Sequence, residues 1–144
     1  MRVRTMIGTT TAALVGAAGL AAGGGTAAAD PQACRADGRM SVMAVQEMTG
    51  SVPGHGPDTP VPGKARIEIS VPEWKQTPWT GTVSWHDPVT GARGVLGPER
   101  PHPVAPAFTT FYAVPTGPGT KTLTASATGH GGETLTCSGT FTIR

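Results

Sequence analysis

The chain is short of the residues that usually carry chemistry. It has nine Asp and Glu in 144 residues, and none form a close pair. Two neighbouring carboxylates are the usual equipment of an acid–base hydrolase, and they are missing. There is no G-x-S-x-G, so the common nucleophile elbow is absent too. The four histidines, His55, His86, His102 and His130, show neither H-x-H nor H-x₃-H spacing. Zinc and copper sites draw on such spacing or on convergent strands. Basic residues form no run or stripe, which removes the footprint of a nucleic-acid binder. There is no convincing helical period and no internal repeat. These absences predict a protein that is not an enzyme and needs no cofactor and no metal.

What is present begins with an address. Met1-Arg2-Val3-Arg4 is a short basic segment, followed by small and apolar residues from Met6 to about Ala22. Ala27-Ala28-Ala29 then offers an A-x-A cleavage site before Asp30. This is the three-part pattern of a secretory signal peptide over residues 1–29. The apolar run is short for a membrane span and is broken by Thr and Gly. Arg2 and Arg4 are not adjacent, so no twin-arginine signal is indicated. The expectation is a secreted, extracellular protein with no membrane contact after cleavage, whose residues 30–144 form one domain. Removing Arg2 and Arg4 from the 11 basic residues leaves nine, against nine acidic ones. The basic whole-chain balance therefore says nothing about a nucleic-acid partner.

The two cysteines, Cys34 and Cys137, bracket almost the whole domain. In an oxidising compartment they should pair. A bridge closing a loop of about 100 residues is worth up to about 4.7 kcal/mol in the chain-entropy model.

The clearest strand pattern is Lys64 to Val71. Ala65, Ile67, Ile69 and Val71 alternate with Arg66, Glu68 and Ser70, the period of a half-buried strand. Trp79 to Gly97 reads as a hairpin. Gly81, Val83 and Trp85 share one parity, and Asp87-Pro88-Val89-Thr90-Gly91 supplies turn chemistry. Met40–Met48 is apolar with mixed period and is assigned as a strand because everything downstream is β. Phe108–Val114, Thr120–Thr128 and Glu133–Arg144 complete the set, with Leu123, Ala125 and Ala127, and then Leu135, Cys137, Phe141 and Ile143, facing inward. Ala36-Asp37-Gly38 and Gly129-His130-Gly131-Gly132 are turns. The Pro- and Gly-rich stretches Thr49–Gly63 and Pro98–Pro106 are expected to be loops.

About seven short strands separated by Gly/Pro turns predict an all-β protein, an immunoglobulin-like antiparallel β-sandwich. Trp85 takes the place of that fold's core tryptophan. Cys34 precedes the first of these strands, so the bridge would pin an N-terminal tail to the last one. Val83-Ser84-Trp85-His86-Asp87-Pro88-Val89-Thr90-Gly91, with the closing Gly139-Thr140-Phe141-Thr142-Ile143, resembles small secreted immunoglobulin-like proteins of high-GC Gram-positive bacteria. The resemblance covers most of residues 30–144 and implies a sandwich outside the cell. That group has no settled activity, so it implies no functional residue.

Candidate contact residues come from the loops. Trp74 and Trp79 flank one loop and can stack on a sugar ring or anchor a protein, or fold back to cap the sandwich. If consecutive strands reverse direction, the Pro72–Trp79, Pro98–Pro106 and Gly129–Gly132 loops share one end. That end would gather Trp74, Trp79, His102 and His130. The opposite end would gather Thr49–Gly63, Asp87–Thr90 and Pro115–Gly119. The function expected is a non-enzymatic binding or interaction module whose partner is an extracellular protein or a cell-surface glycan. The alternatives are a secreted inhibitor of a protease or other hydrolase, presenting Pro98–Pro106, and a copper or zinc binder using His or Met40, Met43 and Met48.

Overall fold

A computed structural model describes residues 31–49 and 58–144. The expected signal peptide, His55 and the middle of the 49–63 segment lie outside the described residues. Among the described residues there are eight strands: β1 (Gln32–Ala36), β2 (Met40–Met48), β3 (Pro60–Ser70), β4 (Trp79–His86), β5 (Arg93–Glu99), β6 (Phe108–Pro115), β7 (Gly119–Gly129) and β8 (Thr134–Ile143). Among the described residues the one helical segment is a single 3₁₀ turn at Pro72–Trp74. No helix there is long and apolar enough to cross a membrane.

The strands form two four-stranded sheets, ordered β1-β2-β3-β6 and β5-β4-β7-β8. Every pairing is antiparallel. The chain crosses between sheets after β3, β5 and β6. With β2 as its first strand, this is the Greek-key order of an immunoglobulin-like sandwich, and Trp85 lies on the strand where that fold keeps its tryptophan. The inward parities follow the sequence pattern. Val42, Ala65, Ile67, Ile69, Val83, Trp85, Leu123, Ala125, Phe141 and Ile143 are all buried in one shared core. Trp85 needs room on the neighbouring strand: a Cβ built at Gly94 would stand 2.6 Å from its indole nitrogen.

Three expectations are corrected. The tail holding Cys34 is a strand, β1, paired with β2 through the hairpin turn at Asp37 and Gly38, both of which have positive φ. The described residues thus hold eight strands, where about seven were expected. Second, Pro60–Gly63 belong to β3 rather than to a loop. Gln46 draws them in, its side-chain amide donating to the Val61 and Lys64 carbonyls. Gly63 adds a bond from its own N–H to Arg144 O at 3.1 Å. Prolines at the start of a strand forgo donors the ladder does not need there. Third, β5 runs on through Pro98 and Glu99, so the second Pro-rich loop starts at Arg100.

Cys34 and Cys137 form a disulfide, with Cα atoms 5.8 Å apart and a sequence separation of 103. It joins β1, at the edge of one sheet, to β8, at the edge of the other. β1 crosses β8 so closely that a Cβ at Gly139 would lie 1.8 Å from the Ala33 carbonyl oxygen. One side of the sandwich is therefore shut by a covalent link over a glycine. The other side lies between the edge strands β5 and β6.

Candidate functional site

Strand alternation brings the 71–78, 100–107 and 130–133 loops to one end of the sandwich. Pro72 opens the 3₁₀ turn, which drops Trp74 onto the core. Its ring packs on Gly129, where a Cβ would sit 3.4 Å from the indole. Trp79 packs beside it, with ring centroids 6.3 Å apart and planes tilted by 58°. Trp74 is 7% exposed and Trp79 3%. Of the two roles open to them, these rings take the capping one.

The three loops are stitched together above the two rings. Trp79 Nε1 donates to Pro106 O at 2.9 Å, tying the first loop to the second. Val71 N donates to Ala107 O, also at 2.9 Å. His130 N donates to Pro78 O at 2.9 Å, tying the third loop to the first. Thr109, buried beneath, donates its hydroxyl to Arg100 O at 3.1 Å. The second loop is itself closed by His102 N to Phe108 O and by Ala105 N to His102 O. A frame of this kind holds side chains in place at little further loss of entropy.

Between the loops lies a cleft of about 670 Å³. Trp79 and Pro106 help form its floor, and Lys75, Arg100, His102 and His130 stand around it. His102 and His130, expected at this end, do meet in the cleft. Lys75 and Arg100 join them, and among the described residues no carboxylate lines it. His102 Nδ1 accepts the Val104 N–H at 3.4 Å, which places the proton of the neutral ring on Nε2. Two acids near this end, Glu73 and Glu133, are both occupied by Arg39 at 2.7 and 2.6 Å. The Arg39 hydrogen bond holds the Glu133 carboxyl below its ordinary range.

Other candidates do not converge. Met40 is buried on the inner face of β2, whereas Met43 is exposed on its outer face. His86 is exposed on the outer face of β4, in a different hollow. Among the described residues no group of three or more His, Cys, Asp or Glu side chains is placed to hold a metal ion.

The opposite end carries a pair the sequence analysis did not single out. Lys121 is 0% exposed, and its Nζ donates to Asp87 Oδ2 at 2.8 Å. The other carboxylate oxygen of Asp87 accepts the N–H groups of Val89 and Thr90, at 2.8 and 3.1 Å. The Lys121 bond, followed by those two backbone bonds, holds the Asp87 carboxyl far below its usual range. The signal was legible: Lys121 shares the inward parity of Leu123 and Ala125.

Comparison with protein-family models, with curated proteins and with solved structures finds no match for this chain.

Proposed function

We propose that the protein is a secreted, non-enzymatic binding module whose contact surface is the end built by the 71–78, 100–107 and 130–133 loops. One observation carries this reading: loops far apart in sequence are bonded into a rigid rim over two buried tryptophans and leave a cleft with exposed His102 and His130. A preorganised concave surface loses little entropy when it binds. Export rests on the signal-peptide pattern of residues 1–29, and a disulfide suits that compartment.

The test is capture of partners from native culture medium and cell wall by the mature protein. His102→Ala and His130→Ala, both exposed, should weaken capture and leave the melting temperature in place. Capture that ignores both substitutions would refute the assignment of this surface.

A second reading has an observation of its own. Val104, 85% exposed, sits at the tip of the tight turn closed by His102 and Ala105. A rigid, protruding apolar tip suits a secreted inhibitor that presents this loop to an extracellular protease. Retention on immobilised proteases, lost in Val104→Asp, would favour it over a cell-wall partner.

A further inference from the structure

We infer that the cleft takes an acidic saccharide, a sugar chain bearing carboxylate or phosphate groups. This rests on the loop end being the contact surface and adds the chemistry of its ligand. Three features of the lining combine. Lys75 and Arg100 bring basic side chains, and His102 and His130 add ring N–H donors, with no carboxylate in the lining among the described residues. Nearby Glu73 and Glu133 both bond Arg39, which leaves that trio one net negative charge, held outside the lining. Glu68 and Glu99 line an adjoining hollow beside β6, which shares Arg100 and His102 with the cleft. The lining itself therefore presents positive charge to whatever enters, and charge-assisted hydrogen bonds to an anion are its strongest available contacts.

The rest of the lining selects a sugar over a peptide. Pro103 and Pro106, both exposed, give apolar patches that suit the C–H face of a pyranose ring. Gln76, Thr77 and Thr128 offer amide and hydroxyl groups that pair with sugar hydroxyls as both donors and acceptors. An extended peptide would want an open strand edge to add to. The β4 and β7 residues in the wall already pair with each other, Trp79 with Gly129 and Thr80 with Thr128. The volume is in the range of small-ligand sites, roughly 300–1,000 Å³, enough for one or two sugar rings.

The experiment is calorimetric titration of the full mature protein, with the imidazole signals of His102 and His130 followed by NMR. The probes are trigalacturonate, a glycerol-phosphate-substituted saccharide, the neutral galactose trimer and oligoglutamate. At least one acidic saccharide should bind, move both histidine signals, and bind about tenfold more tightly than the neutral trimer. Which acidic probe binds separates the carboxylate source from the phosphate source. Arg100→Gln and Lys75→Gln should each weaken binding about tenfold with no change in melting temperature. Equal binding of the neutral trimer, or no effect of either substitution, overturns the inference. So does oligoglutamate binding as tightly as the saccharides, which would make the ligand an acidic peptide. If no saccharide binds while His102→Ala still abolishes capture from the medium, the saccharide falls and the binding module stands. If capture ignores the loop substitutions, the reading beneath it falls as well.

Discussion

Lys121 and Asp87 show how one residue pair can set a pH limit. A charged lysine with no solvent contact persists only with a partner, and removal of one partner leaves an uncompensated charge. Lys121→Met should therefore lower the melting temperature markedly, and Lys121→Met with Asp87→Asn should recover part of the loss. The Asp87 carboxyl is depressed in the folded state relative to about 3.9 in an unfolded chain. Its contribution is then fully present above about pH 4 and is lost as pH falls below it. Melting temperature followed down into that acid range should drop steeply for the parent and less steeply for Asp87→Asn. Gly139 is a second single-residue determinant. Gly139→Ala puts a methyl where the Ala33 carbonyl lies, so β1 must lift from β8. Thermal or urea unfolding should show a loss of about 1–3 kcal/mol, as overpacking does.

At the scale of the element, β4 does two jobs. Its penultimate residue Trp85 fills the core, and its first residue Trp79 floors the cleft. Trp85→Ala should cost about 3–5 kcal/mol in urea unfolding, the usual range for a large buried aromatic. A loss under about 1 kcal/mol would mean that the core does not depend on this ring. Trp74→Ala should cost a similar amount, because the ring caps the core rather than waiting for a ligand. Trp79→Phe keeps most of the packing and removes the bond to Pro106 O, a loss of about 1 kcal/mol. Its larger effect should be on the 100–107 loop, read as faster amide exchange at His102 and Phe108. Strands with strict alternation, such as β3 from Lys64 onward and β8, were legible in the sequence. β1 was not, since Gln32-Ala33-Cys34-Arg35-Ala36 has no β-branched residue and no period. It is a strand because the Asp37–Gly38 turn folds it onto β2 and the disulfide holds it against Gly139.

For the whole molecule, the disulfide closes one flank of the sandwich and the loop frame stiffens one end. Cys34→Ser with Cys137→Ser removes up to about 4.7 kcal/mol on the chain-entropy model, which a urea midpoint would register. The link sits on β1 and β8, away from the cleft, so the doubly substituted protein should keep its ligand at temperatures where it remains folded.

Composition and alternation were enough to determine a nearly neutral all-β domain with Trp85 in its core and a Cys34–Cys137 pair. They also determined that His102 and His130 would share an end. These properties follow from a local period of two and from strands that reverse at each turn, both of which a linear chain displays. Only the tertiary structure decided that Trp74 and Trp79 face inward, since a ring beside a loop can turn either way until Gly129 and Pro106 O are there to receive it. It alone decided that Pro60–Gly63 extend a strand, because their partners Gln46 and Arg144 come from elsewhere in the chain. It also decided that Arg39 pairs with both Glu73 and Glu133, and that Lys75 and Arg100 meet in a lining with no carboxylate among the described residues. The charge character of the cleft comes from those distant pairings, and side-chain pairing between remote segments leaves no periodic trace in the sequence.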